Sequence, residues 1–329
     1  MAILVTGGAG YIGSHTVAEL LDRGEEVVVL DNLQTGHKAA LLGGKLYEGD
    51  LRDKELLSKL FSENSIDAVI HFAANSLVGE SMQNPGKYYD NNVFGTLSLL
   101  EAMKDAGVRR IVFSSTAATY GEPEKVPIEE GDRTEPTNVY GETKLMMERM
   151  MSWFDKVLGI KYVSLRYFNA AGAHESGKIG EDHRPESHLI PLVLQTALKQ
   201  RPHISVFGDD YATPDGTCIR DYIHVSDLAD AHMRAVTYLR EGNDSNVFNL
   251  GNGQGFSVKE VIETARKVTG LDIPVVAEPR RAGDPAVLVA SSDKARSVLG
   301  WSPKRTQLED IISGAWGWHQ SHPQGYGDE

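Results

Sequence analysis

The chain predicts an α/β protein: a doubly wound parallel sheet with a second, smaller α/β lobe. Three observations carry this. A glycine-punctuated strand–turn–helix unit opens the chain. Short apolar strands then alternate with helical patterns through the first half. Finally, 329 residues are enough for one large domain and a smaller one.

The opening stretch AILVTGGAGYIGSHTVAELLDRGEEVVVLDN reads as one βαβ unit. Ile3 to Val5 is a short buried strand, and Gly7, Gly10 and Gly13 mark the turn. A helix follows from Ile12 to Arg23, stopped by Gly24, and Val27 to Leu30 is the next strand. Glycines there let a backbone approach a pyrophosphate closely, and the helix start offers free N–H groups and a favourable dipole. The spacing is G-x-x-G-x-x-G, and its place between strand and helix gives it weight. Asp31 closes the second strand. A carboxylate there accepts from adenosine ribose hydroxyls and repels a 2′-phosphate, which favours NAD over NADP. Asp31 also reads, more plainly, as a turn residue before Asn32. LYEGD ends a third strand at Asp50, a candidate adenine-edge contact. DAVIH brings a fourth strand to Phe72-Ala73-Ala74, where small side chains let a cofactor pass. His71 in that strand reads as a satisfied core histidine.

A fifth strand, Ile111 to Ser114, runs into hydroxyls. In a parallel sheet ligands gather at the carboxyl ends of strands, so Ser114, Ser115 and Thr116 point to where a nicotinamide would lie. After a loop rich in Pro, Glu and Gly comes NVYGETKLMMERM. Tyr140 and Lys144 stand four apart there, on one helix face. A neighbouring cation favours the ionised phenol and makes it usable as a base. Spacing alone is weak. Behind a glycine turn and a strand-end hydroxyl it points to alcohol–carbonyl redox chemistry.

Composition sets outer bounds. Hydrophobic residues make up 41% and charged residues 24%, ordinary for a globular protein. A lone cysteine, Cys218, cannot form an internal disulfide. With no signal-type or membrane-length apolar run, the expected location is cytoplasmic. The net charge of -13 argues against nucleic-acid or anionic-membrane binding. The histidines show no metal-ligand spacing, so no metal is expected. Met146-Met147 and Met150-Met151 read as helix core or as an interface shared with a helix from Asn91 to Ala106. The tail HPQGYGDE reads as frayed.

At this point the chain resembles the extended short-chain dehydrogenase/reductase family, with its Rossmann sheet, and within it the branch that inverts C4 of UDP-hexoses. The likeness runs from TGGAGYIGSH through DNL, YYDNNVFGTL, FSSTAATYGE, YGETK and LRYFNAAGAH to VFGDDYATPDGTCIRDYIHVSDLADAH, FNLGNGQGFSV, RRAGDPA and LGW. That is nearly the whole length. The resemblance implies a homodimer that holds NAD tightly and carries a UDP-sugar through a 4-keto intermediate, which turns and takes its hydride back on the other face. Tyr140 would take the C4 hydroxyl proton, Lys144 would stabilise the phenolate, and Thr116 would hydrogen-bond the C4 oxygen. Tyr11, Ile12, Asn32, Leu51, Asn91 and Phe168 would join the cofactor contacts. Asn169, His188-Leu189, Val206-Phe207, Arg220, Arg281, Asp284 and Leu288 would meet the nucleotide sugar. The implied division is residues 1–168 for NAD, with a returning segment near 221–249, and 169–220 with 250–329 as the substrate-binding lobe.

Two departures from the family pattern stand out. Thr116 occupies a position often held by Ser, with Ser115 as the alternative hydroxyl. Ser76 aligns where many relatives carry Lys. Ala117-Ala118, where nucleotide-sugar 4,6-dehydratases place acids, disfavour dehydration. An epimerase for another UDP-sugar, an NAD-sensing protein without turnover, and the preference for N-acetylated sugars at Leu288 all stay open.

Overall fold

The computed structural model describes residues 1–281 and 284–327. Six strands come first: β1 (Ala2–Thr6), β2 (Val27–Asp31), β3 (Lys45–Glu48), β4 (Ile66–His71), β5 (Arg110–Thr116) and β6 (Lys161–Tyr167). Then follow β7 (Asn169–Ala171), β8 (Ile204–Phe207), β9 (Ile219–His224), β10 (Asn246–Leu250), β11 (Gly255–Ser257), β12 (Val275–Glu278) and β13 (Val287–Leu288). Seven of them make one parallel sheet in the order β10-β6-β5-β4-β1-β2-β3. The order reverses direction beside β1 and β4, where open α/β sheets form their ligand crevice. Two smaller sheets complete the fold: β11-β9-β13 with β7 on β9, and β12-β8.

Alternation along the strands builds a core on each face of the large sheet. Ile3, Val5, Val29, Ile70 and Val112 pack with residues of the helices Tyr11–Asp22 and Val225–Arg240. Leu4, Val28, Val69, Ile111 and Phe113 face the other way, onto Lys54–Glu63, Gly95–Ala106 and Val139–Leu158. A third core gathers Ile190, Val193, Leu194, Val206, Ile262, Ile311 and Trp316. No helix among the described residues is long and apolar enough to cross a membrane.

Several expectations shift here. The helix expected from Asn91 is α-helical only from Gly95, because Tyr89–Phe94 winds as a π-helix. Of the two readings for the methionines, core holds for Met147 and Met151; the exposed large apolar side chains of that helix are Trp153, Val157 and Leu158. The tail is not frayed as far as Gly327. Tyr326 stacks on His37 at 4.9 Å between ring centres, its hydroxyl accepts from the Gly180 N–H at 3.0 Å, and Trp318 packs beside it. Arg184 donates to the Gln324 carbonyl, Gln200 to the Pro323 carbonyl and the Tyr326 N–H to Asp182, so the tail is held at several points. Asp328 and Glu329 lie outside the described residues.

Candidate active site

A cavity of about 910 Å³ opens at the carboxyl ends of β1, β2, β4, β5 and β6. It is at the upper end of the usual range for small-molecule sites. At its cofactor side the helix Tyr11–Asp22 starts after Gly10 with no side-chain cap. Its first-turn residues Tyr11, Ile12 and Gly13 line the cavity, so their N–H groups are available to an anion. Gly7 has φ 71°, and a Cβ there would sit 2.6 Å from the Ala73 nitrogen. At Gly13 a Cβ would come within 2.1 Å of the Gly7 carbonyl oxygen. Gly10 differs, with its nearest atom at 3.4 Å: glycine there leaves open space toward the cavity.

Asp31, at the end of β2, accepts from the backbone N–H of Ala9 and of Leu33, both at 2.9 Å. Burial pushes its carboxyl up, and these two donors pull the other way. Each oxygen keeps a further lone pair for a ribose hydroxyl. Asp50 sits two residues past the end of β3, after Gly49. Arg52 grips it and holds it at about 2, and Asn32 donates to it at 3.2 Å. Phe72, Ala73 and Ala74 follow β4, and Leu51 and Asn91 complete this wall. Bare helix start, crowded glycines and buried strand-end carboxylate together fit NAD.

The reacting end is built on the helix Val139–Leu158, capped by Asn138 onto the Gly141 N–H at 2.8 Å. Tyr140 and Lys144 both face the cavity. Lys144 Nζ donates to the Ser114 carbonyl at 2.8 Å and lies 5.9 Å from the Tyr140 ring centre. Burial brings the lysine down to about 7, with Glu148 acting against the shift. Burial also raises the Tyr140 phenol, opposed by a hydrogen bond with Thr116. Burial thus disfavours the charged form of each residue.

Strand alternation sorts the three hydroxyls. Ser114 and Thr116 share the cavity face, with Ser114 Oγ 2.5 Å from the Tyr167 hydroxyl. Ser115 points to the opposite face and donates to Glu148 Oε1 at 2.5 Å. It is thus removed from the site as an alternative to Thr116.

At the far end Phe168, Asn169, His188, Arg220, Arg281, Asp284 and Leu288 line the cavity. Asn169 donates to the Asp221 carbonyl at 3.1 Å. Arg220 is ion-paired with Asp284, and Leu288 sits in register with it across β13 and β9. Three expected contacts are not in the lining. Val206 turns into the third core, Leu189 packs against that core, and Phe207 lies under the Arg281 guanidinium at 3.9 Å. Alternation along β8 sends Val206 inward.

Sequence reasoning missed Tyr167, Asn138 and the loop residues Glu181, His183, Pro185 and Ser187, all in the lining. The reading that no histidine has metal-ligand spacing also needs correction. Glu181, His183, Glu186 and His188 bring their ligand atoms within 4.8 Å of one another. A turn gathers them, so helix or strand periodicity offered no signal; the run GEDHRPESH did.

A dinucleotide cradle opening onto a half-buried tyrosine and a buried lysine defines a class: enzymes that oxidise and reduce a carbinol carbon with a nicotinamide. The sequence model of the NAD dependent epimerase/dehydratase family matches residues 3–251, and the chain belongs to that family. It is 62% identical to a UDP-glucose 4-epimerase of Halalkalibacterium halodurans, over 100% of this chain and 98% of the relative. A crystal structure of UDP-glucose 4-epimerase from Bifidobacterium longum in complex with NAD+ and UDP is 42% identical. It covers 99% of this chain and 100% of its own, with a TM-score of 0.93. The UDP-Glc/GlcNAc 4-epimerase from Campylobacter jejuni is 46% identical over 97% of this chain and 99% of its own, with a TM-score of 0.86.

Proposed function

We propose that this chain interconverts UDP-glucose and UDP-galactose by inverting C4, with NAD held throughout. The observation that carries the reading is Tyr140, Lys144 and Thr116 converging on one cavity wall beside the uncapped helix start. When bound, NAD supplies the reversible hydride acceptor and a positive ring charge that favours the Tyr140 phenolate. Tyr140 then takes the C4 hydroxyl proton as general base and returns it as general acid. Lys144, anchored on the Ser114 carbonyl, holds position and charge beneath the phenol ring. Thr116 shares a hydrogen bond with Tyr140 and directs the C4 oxygen. Residues 1–168 with 221–249 hold the cofactor in this reading, and 169–220 with 250–329 the nucleotide sugar.

Arg220 and Arg281 are the cations for the diphosphate, since guanidinium forks match phosphate oxygens. Leu288 shapes the sugar end of the cavity, and its moderate bulk is the reason to test N-acetylated sugars. The protein as purified, without added NAD, should convert UDP-galactose to UDP-glucose, followed by chromatography of the nucleotide sugars. Turnover only with added NAD would end the retained-cofactor reading, and no turnover would end the epimerase reading. UDP-GlcNAc in the same assay reports on Leu288.

The homodimer belongs to the same proposal. Trp153 is 64% and Val157 71% exposed, one turn apart, and Tyr89 and Phe94 are also exposed apolar side chains. Exposed apolar side chains on a helix are what an isologous helix-face contact covers. Sedimentation equilibrium giving a single-chain mass would exclude it.

A further inference from the structure

The geometry points to a divalent metal site of the zinc class formed by Glu181, His183, Glu186 and His188, in the loop that walls the substrate end of the cavity. Four ligand atoms, two imidazole nitrogens and two carboxylate oxygens, lie within 4.8 Å of one another. The histidine–glutamate approaches are closer. His188 Nδ1 is 2.9 Å from Glu181 Oε1 and 3.0 Å from Glu186 Oε1. His183 Nδ1 is 3.2 Å from Glu181 Oε1 and 3.8 Å from Glu186 Oε2. Ligand atoms bound about 2.0–2.1 Å from a tetrahedral zinc stand roughly 3.4 Å apart. The four nitrogen–oxygen approaches, 2.9 to 3.8 Å, bracket that spacing.

The supporting groups are those a closed site needs. Glu186 Oε1 accepts from the backbone N–H of Ser187 at 2.7 Å and of His188 at 2.8 Å, which fixes the carboxylate's orientation. The Glu181 carbonyl accepts from Trp318 Nε1 at 3.3 Å, tying the loop to the helix Leu308–Ser321. Both glutamate side chains are 5% exposed. Two imidazoles select zinc, cobalt or nickel over magnesium and calcium, which prefer oxygen. Four protein ligands leave no open position, so the role is structural.

The loop's place gives the site a consequence. Glu181, His183 and His188 line the cavity, and Tyr11 at the start of the first helix packs edge-on to His183 at 6.1 Å. A bound cation therefore joins the substrate wall to the helix that cradles the cofactor. Because it rests on the loop alone, the inference stands or falls independently of the epimerase reading.

The test uses the full chain with its cofactor, stripped by a chelator and titrated with zinc or cobalt. The expected result is one equivalent per chain, a cobalt visible spectrum of tetrahedral type, and a higher melting temperature with zinc. Loss of an outer-shell partner alone weakens metal sites about 10- to 100-fold, so His183→Gln and Glu186→Gln should each weaken binding at least about 100-fold. A wild type that takes up no zinc, or an octahedral cobalt spectrum, overturns the proposal without any variant. So does equal zinc binding by wild type and both variants, which would place the metal on other histidines. Two simple histidine–glutamate ion pairs would give the first of these outcomes.

Discussion

Tyr140→Phe is expected to cut kcat by about 10²- to 10⁴-fold, the range a positioned general acid–base group contributes. The substitution removes one oxygen and leaves the rest of the site standing. The Tyr140 backbone N–H still reaches Ser81 Oγ at 3.2 Å, and its carbonyl still accepts from Thr143 at 2.8 Å. Lys144 keeps its bond to the Ser114 carbonyl, so the helix is not released. Cofactor content, read from absorbance of the purified variant, should be unchanged, and KM should move far less than kcat. That split marks an interaction made chiefly in the transition state. A kcat within a few-fold of wild type would remove Tyr140 from the proton transfer and leave Thr116 as the group to test.

Arg166→Ala should cost about 3–5 kcal/mol of stability, the usual effect of stranding one partner of a buried ion pair. Arg166 binds Glu148 through two hydrogen bonds, at 2.9 and 2.5 Å, with both side chains under a tenth exposed. It also reaches the Tyr120 hydroxyl at 2.9 Å, which donates to Asn249 on β10. Without the guanidinium, the Glu148 carboxylate keeps only Ser115 as a donor among these contacts. Glu148 stands one helical turn from Lys144, so activity should fall as well. Removing both charges with Arg166→Met and Glu148→Leu should recover much of the lost stability, since a buried pair contributes little over apolar packing. Urea unfolding checks this; a loss under about 1 kcal/mol for the single variant would mean that water reaches the pair.

Much of the fold was legible because parallel strands buried on both faces are short apolar runs, and glycines mark the turns between them. The placement of Asp31 and of the Tyr140–Lys144 pair at the cavity was legible because it depends on sequence-local geometry: a strand end and one helical turn. Ser115 and Val206 misled for a shared reason. Each neighbours a cavity-facing or surface residue on a strand, and a one-residue step along a strand reverses the side chain. Glu181, His183, Glu186 and His188 were invisible to periodicity because an irregular turn brings them together. The phenol's resistance to ionising was hidden too, since burial is a property of the folded surroundings and not of the Tyr–Lys spacing.

The pairing of β10 with β6 sets a schedule for synthesis. β6 ends at Tyr167 and its neighbour begins at Asn246, a gap of 246 − 167 = 79 positions. Until Leu250 has left the ribosome, β6 presents the hydrogen-bonding edge of a six-stranded parallel sheet. At about 5–20 residues per second, that edge stays open for roughly 4–16 s. Unpaired edges recruit other strands, so the nascent chain is most exposed to aggregation while residues 168–250 are being made. A chaperone that covers that edge would act in this interval.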